Sequence, residues 1–282
     1  MKIAMLTNNY RPFVGGVPIS VERQAQELVK LGHQVTVFAP MYESDNGEQD
    51  ENFRKKILEE DKKAPERVIR YRSQKKKMDN GMVYPGIYPT EIFEVFERER
   101  FDRIHVHHPM FVGSWALWLG KKYGIPVIYT YHTRYEDYLH YIPCFRLNEK
   151  STIVKRKAVE WIQKNVIPSY MRWFCNRCDL VFAPSAGMQQ VIREYGVDTP
   201  AAVFPTGLDG AFFRKDVRRS QEIRKQYSRG KRHMLVTVSR LEKEKNYGFL
   251  LRGIAELRQE LGDEFHVLII GEGSQKSELK VR

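Results

Sequence analysis

Apolar positions fall in short runs separated by longer amphipathic stretches. KIAML (2–6) reads as a buried strand, and NNYRPFVGG as a loop by its Asn, Pro and Gly content. Pro18 suits a first helical turn, Val21, Ala25, Leu28 and Val29 recur at helical spacing, and Gly32 is a C-terminal stop. HQVTVFAP (33–40) gives a second strand, which makes a strand–helix–strand unit with a right-handed parallel crossover. Residues 41–80 are polar and irregular, and predict a long insertion or loop with some helix. Order resumes with strands at 102–108, 126–132, 179–185 and 201–207, and helices at 112–124 and 187–196. Strands alternating with helices predict a doubly wound α/β domain over 1–212. A second set follows in 213–282: strand HMLVTVSR (233–240), helix 246–261, strand FHVLIIGEG (265–273) and the opening of another helix. Two strands and one complete helix cannot close a doubly wound domain, so 213–282 is expected to be an incomplete second domain with exposed sheet edges.

Composition fits this pattern. Of 282 residues 42% are apolar and 29% charged, as in a soluble globular protein. The first residues lack the apolar segment of a secretory signal, and no run is long enough to span a bilayer. Cys144, Cys175 and Cys178 are read as reduced cytosolic thiols, the last two packed on one helix face rather than forming half a zinc site. The net charge of +12 is concentrated: 54–80 and 146–177 each carry +6, and 214–232 carries +7. Such clustering suits a polyanionic partner, whether nucleic acid, anionic membrane or phosphate.

Several polar clusters fall at the carboxyl ends of predicted strands, where open α/β sheets bind ligands: Asn8–Gly16, His107–His108, His132–Tyr141, Pro205–Asp209, Ser239–Lys245 and Gly271–Ser274. Gly15-Gly16 precedes a helix and can bring bare amides to a phosphate, although from spacing alone an ordinary glycine turn is the better reading. No GxGxxG or GxxxxGK[ST] is present. In SRLEKEKN (239–246), Arg240 and Lys245 can both face a diphosphate, and GEGS (271–274), with Gly271 and Gly273, repeats the glycine-before-helix pattern. His105 and His107 share a strand face, but no acid or thiol completes a metal site by spacing, and no metal is expected. Residues 151–174 mix basic residues with Trp161, Ile162, Ile167, Tyr170, Trp173 and Phe174. That composition suits an interfacial helix pair at a membrane or an ordinary amphipathic helix with aromatics in the core, and periodicity does not separate the two. Pro168 is expected to kink or break it. The stretch TYHTRYEDYLHYIP (130–143) stands out because four tyrosines, two histidines and two acids directly follow a buried strand.

Together GGVPISVERQAQELVKLGHQVTVFAP, HVHHP, PVIYTYHT, FPTGLD, SRLEKEKN and GEG resemble glycosyltransferase family 4, retaining nucleotide-sugar transferases of the GT-B fold. TYHTRYEDYLHYIP and FCNRCDLVFAPS look most like bacterial diacylglycerol glucosyltransferases. The resemblance implies an α/β fold of GT-B type, with an acceptor-binding domain at 1–212 and the start of a donor domain at 213–282. It places His132 near the transferred sugar, with Tyr135, Asp137 and Tyr141 shaping the acceptor pocket. Gly15, Gly16, Arg240 and Lys245 would take the donor diphosphate, and Gly271 and Gly273 the nucleotide. Lys155, Arg156, Lys157 and Trp161 would meet an anionic membrane. The implied donor is a nucleotide sugar such as UDP-glucose, with no cofactor or metal. The implied acceptor is a membrane lipid such as diacylglycerol, and the implied location the cytoplasmic face of the membrane, with no nucleic-acid partner. The family's paired-glutamate donor motif has no counterpart within the 282 residues. A transferase with a soluble sugar acceptor, or a non-catalytic basic protein binding nucleotide or nucleic acid, are the competing readings.

Overall fold

The structure is a computed structural model that describes residues 1–43, 50–77, 82–86, 88–148, 150–208 and 210–281. The chain divides into two compact units, Met1–Gly207 and Leu208–Arg282.

The first unit opens with β1 (Lys2–Leu6), α1 (Gly16–Lys30) and β2 (Gln34–Pro40). Next come α2 (Asp50–Lys62), β3 (Arg67–Tyr71), the antiparallel pair β4 (Ser73–Lys77) and β5 (Val83–Pro85), and α3 (Thr90–Arg98). It continues through β6 (Arg103–Val106), α4 (Val112–Tyr123), β7 (Val127–Thr130), α5 (Ile153–Trp161), α6 (Ile167–Cys175), β8 (Leu180–Ala183), α7 (Ala186–Glu194) and β9 (Ala201–Val203). Seven strands form one sheet in the order β3-β2-β1-β6-β7-β8-β9, every neighbouring pair parallel. Successive side chains of β1 alternate between faces. Ile3 and Met5 pack with Val21 and Ala25 of α1, whereas Ala4 and Leu6 join the larger core that includes Ile104, Leu119 and Phe174. The strand order reverses between β1 and β6, and that switch point is where a ligand-binding crevice forms in an open α/β sheet.

Two expectations need correction. Residues 67–71 are not part of an irregular insertion: RVIRY pairs in parallel with β2 as the edge strand. Arg67 and Arg70 obscure the apolar pattern, yet Arg70 is buried because Asp61 neutralises it. Pro168 does not break the helix either. A π-helical turn, Ile162–Val166, joins α5 to α6 and leaves Pro168 in the first turn of α6, where a missing N–H costs little.

The second unit contains α8 (Val217–Tyr227), β10 (His233–Val238), α9 (Tyr247–Leu261), β11 (Phe265–Ile270) and α10 (Lys276–Val281). Strands β10 and β11 pair in parallel, in register from His233↔Phe265 to Val238↔Ile270. Val236, Val238 and Ile270 remain exposed, in keeping with a sheet of only two strands.

Candidate functional site

Four imidazoles gather where β6 and β7 end, at the switch-point end of the sheet. Strand alternation puts His105 and His107 on one face of β6, and their rings lie 4.3 Å apart. His105 Nε2 meets Thr130 Oγ1 at 2.7 Å. His107 Nδ1 meets His132 Nε2 at 2.9 Å, with ring centroids 5.2 Å apart and stacked. His108 Nδ1 accepts the Asn8 amide N–H at 3.1 Å, which ties the loop after β1 to the end of β6. His105, His107 and His108 are buried and His132 is half-buried. Desolvation disfavours imidazolium, and holds His105 and His108 down to about 3 and His132 to about 4, with His107 pushed the same way. The cluster is therefore neutral at physiological pH. It can exchange hydrogen bonds with hydroxyl groups but offers no fixed charge. Among the described residues no group of three or more His, Cys, Asp or Glu is arranged to hold a metal ion.

The Asn8–Gly16 loop leads from β1 into α1. No side chain caps the α1 N-terminus, Gly15 is extended, and a Cβ at Gly16 would meet nothing within 4 Å. Open amides at a helix start make a positive, anion-accepting end. An ionic network that sequence reading missed anchors this loop. Arg11 Nη1 bonds Glu22 at 2.7 Å and Glu66 at 2.8 Å, and Tyr10 Oη donates to the same Glu66 oxygen at 2.7 Å. Its members lie as far as 56 positions apart, beyond any local pattern. From the far edge of the sheet, Thr206 Oγ1 lies 3.2 Å from Ser20 Oγ and Arg23 donates to the Gly207 carbonyl, so the FPTG turn also abuts α1. Asp209 of FPTGLD lies outside the described residues.

The tyrosine-rich stretch splits by role. Tyr131 is fully buried and Leu139 packs in the main core. Tyr135 is partly buried against that core, within a 3-10 turn spanning Tyr135–Tyr141. Glu136, not singled out in the sequence, is buried and fastens the turn: its carboxylate accepts from Arg134 at 2.9 Å and from Tyr195 Oη at 2.5 Å, and its carbonyl accepts from Gln163 at 3.0 Å. Asp137 is exposed, 3.6 Å from Arg134. The Tyr141 side chain lies outside the described residues.

Helices α5 and α6 divide the aromatic and apolar residues of 151–174 between core and surface. Ile167, Met171 and Phe174 belong to the core, and Tyr170 donates to the Pro109 carbonyl at 2.9 Å. Ile153, Val154, Trp161 and Trp173 are exposed, Trp161 at 61%. Arg156 and Lys157 are exposed beside them. Lys155 donates to the Arg146 carbonyl at 2.8 Å, and Arg156 to the Asn148 carbonyl at 2.7 Å. The result is a surface of protruding apolar side chains interleaved with cations. Cys175 and Cys178 are buried core thiols whose pKa values burial raises, but they do not share a helix face: Cys175 ends α6 and Cys178 sits in the turn beyond it.

In the second unit the loop after β10 carries Arg240 and Lys245. Arg240 Nη2 pairs with Glu244 at 2.8 Å, and Lys245 is exposed. Asn246, in the left-handed region at φ 50°, caps α9 by accepting the Phe249 amide N–H at 3.3 Å. The two glycines of GEGS have a packing reason: a Cβ at Gly271 would lie 1.9 Å from the Ser239 carbonyl oxygen, and one at Gly273 2.3 Å from that of Leu241. Glu242 bridges the same loops by accepting from Ser274 N at 3.0 Å and Ser274 Oγ at 2.7 Å.

Comparison with known proteins places this architecture. The sequence profile of Glycosyltransferase Family 4 matches residues 14–212, and that of Glycosyl transferases group 1 matches 219–282. The chain belongs to glycosyltransferase family 4. An alpha-monoglucosyldiacylglycerol synthase of Streptococcus pneumoniae is 27% identical over 99% of this chain, and one of Acholeplasma laidlawii is 25% identical over 98%. The chain spans 58% and 64% of the lengths of these two relatives. Among solved structures, Anabaena Alr3699/HepE in complex with UDP and glucose superposes with a TM-score of 0.62 at 15% identity, over 100% of this chain and 64% of that one. A glycosyltransferase from Rickettsia africae superposes with a TM-score of 0.59 at 15% identity, over 100% and 63%. The α/β fold of GT-B type is thus the fold class of this family 4 chain.

Proposed function

We propose that the protein transfers glucose from UDP-glucose to a membrane acceptor such as diacylglycerol, with retention of configuration. One observation carries the reading: both curated relatives are alpha-monoglucosyldiacylglycerol synthases, and each matches nearly all of this chain. The UDP-glucose complex of Alr3699/HepE, a protein of similar fold, supports the choice of donor.

In this reading the acceptor hydroxyl attacks the anomeric carbon on the face that the diphosphate leaves. The carbon–oxygen bond to the diphosphate breaks, and the departing phosphate takes the acceptor's proton. No protein nucleophile is used, so catalysis is positioning together with stabilisation of leaving-group charge. The first unit serves the acceptor. Neutral His132 holds a hydroxyl of the transferred sugar, and Tyr135, Asp137 and Tyr141 shape the acceptor pocket. In the first unit the uncapped amides at Gly15-Gly16 offer positive potential to a phosphate; in the second, Arg240 and Lys245 offer it to the donor diphosphate, and Gly271 and Gly273 line the nucleotide. Lys155, Arg156, Lys157 and Trp161 hold the protein peripherally on the anionic inner face of the membrane. No described helix is long and apolar enough to cross a bilayer.

The test is incubation of the protein with radiolabelled UDP-glucose and vesicles containing diacylglycerol and anionic lipid. A labelled lipid with α-linked glucose is expected. Sugar transfer only to soluble acceptors, or none to lipid, overturns the reading.

A further inference from the structure

We propose that His107 is a positioning residue: its Nδ1–H donates to His132 Nε2 and fixes His132 as the Nδ1–H tautomer, ready to donate a hydrogen bond from Nδ1. The inference deepens the proposed function, because the sugar-facing role of His132 rests on that reading.

The observation is the 2.9 Å contact between two neutral imidazoles. A neutral pair needs one donor and one acceptor, and the nitrogen that donates in one ring fixes the tautomer of both. The deciding atom is His107 Nε2. It is fully buried and, among the described residues, has no hydrogen-bond partner. If His132 donated, His107 would carry its proton on Nε2 and bury an orphan N–H. If His107 donates, Nε2 is a bare lone pair. A buried N–H without an acceptor is the rarer and costlier arrangement, so the pair runs from His107 to His132. The His107 ring cannot easily rotate out of this role. It lies between the His105 ring at 4.3 Å and the His132 ring at 5.2 Å. His105 is in turn held by Thr130 at 2.7 Å. The same contact opposes protonation of His132, since imidazolium would turn an N–H toward the N–H of His107. Burial already favours neutral His132, which agrees with this polarity.

The consequence is a defined hydrogen-bond direction at the half-buried ring. With Nε2 occupied by His107, Nδ1–H is what His132 offers to a ligand, and a sugar hydroxyl oxygen is a suitable acceptor. Released from His107, the ring would revert toward the Nε2–H tautomer that free histidine prefers in water, and Nδ1 would become an acceptor.

Long-range proton–nitrogen NMR of histidine-labelled protein at pH 7.5 tests this directly. In the wild type, His132 Nδ1 is expected at a protonated-nitrogen shift and Nε2 at an unprotonated one. His107→Leu is expected to move the population toward Nε2–H. His107→Asn, whose amide nitrogen sits near the former Nδ1, restores the Nδ1–H state. In transfer assays His107→Leu lowers kcat roughly tenfold, about 1.4 kcal/mol, with little change in KM for UDP-glucose, and His107→Asn recovers most of the rate. An Nε2–H tautomer of His132 in the wild type overturns the inference, as does an unchanged tautomer in a folded His107→Leu protein. Should His107→Leu not fold, the wild-type and His107→Asn spectra decide. The spectra read the tautomer whether or not lipid is glucosylated. Absence of lipid glucosylation with the expected spectra therefore overturns only the transfer reading, and an Nε2–H spectrum in the wild type overturns this inference whatever the assay shows.

Discussion

The Arg70 guanidinium and the Asp61 carboxylate meet in two parallel hydrogen bonds, Nε–Oδ2 at 2.7 Å and Nη2–Oδ1 at 2.9 Å, with side chains only 2% and 6% exposed. Arg70 also donates to the carbonyls of Pro40 and Arg11, so one side chain joins α2, β3, the end of β2 and the loop that leads to Gly15. Removing Asp61 leaves the Arg70 guanidinium charged and buried without its carboxylate, whereas Asp61 also has Arg11 Nε at 3.4 Å. Asp61→Ala is expected to destabilise the fold by about 3–5 kcal/mol, whereas Asp61→Leu with Arg70→Met costs less than the single change. Urea unfolding of the three proteins measures this, and a loss under about 1 kcal/mol for Asp61→Ala would remove the pair from the account of stability.

The histidine cluster predicts acid sensitivity. The ordinary imidazole value is 6.5, and burial lowers His105 and His108 to about 3 and His132 to about 4, with His107 shifted the same way. Between these folded values and 6.5, the unfolded chain binds more protons than the native one. Stability is therefore complete above about pH 6.5 and falls as pH drops toward 4. Each histidine contributes a slope of about 1.4 kcal/mol per pH unit inside that window. Denaturation midpoints at pH 5, 6, 7 and 8 should fall steeply only across the two lowest values. A flat profile contradicts the burial of neutral imidazoles.

His132→Ala should fold, because the ring is half-buried and lies at a strand end, yet lose most transfer activity. Turnover and circular dichroism measured side by side separate the two effects. Near-normal turnover would reduce His132 to a packing residue.

Arg240 and Lys245 should not be equivalent. Arg240 is already paired with Glu244, so a diphosphate must compete with a carboxylate for it. Losing a charged hydrogen bond costs about 1.5–3 kcal/mol, or roughly ten- to hundredfold in affinity. Lys245→Ala is expected near the upper end, Arg240→Ala near the lower, and Glu244→Gln should tighten binding. Calorimetric titration with UDP gives the order, and unchanged affinity in both alanine variants refutes the phosphate role.

For the membrane, each basic residue near an anionic surface contributes about 1 kcal/mol, and salt screens that part but not apolar insertion. Vesicle binding should need anionic lipid and weaken without vanishing at high salt. Replacing Lys155, Arg156 and Lys157 by Glu should abolish most binding at low salt. Trp161→Ser should remove chiefly the part that survives high salt. Indifference of the wild type to anionic vesicles, or equal binding by the triple variant, would make the surface an ordinary solvated face.

What the sequence by itself determined was local and periodic. KIAML, HQVTVFAP and HMLVTVSR declare strands because their apolar runs need no distant partner to be recognised, and each is observed as one. The helix from Gly16 follows from the spacing of Val21, Ala25 and Leu28, and its stop from Gly32, which takes φ 83°. That polar clusters fall at the carboxyl ends of strands was also legible, since strand direction and alternation fix where such residues emerge. The tertiary structure decided everything that depends on who meets whom. RVIRY became a strand because Asp61 arrives to neutralise Arg70, a pairing that the pattern of RVIRY itself cannot show. The face of 151–174 that enters the core was settled by the neighbours that receive Ile167, Met171 and Phe174, while Trp161 was left outside. His107 and His132 lie 25 positions apart, and only the parallel pairing of β6 with β7 brings their nitrogens together. Periodicity reports which side of an element is apolar. Hydrogen-bond partners and the burial of charge are set by chain segments that loop closure carries in from elsewhere.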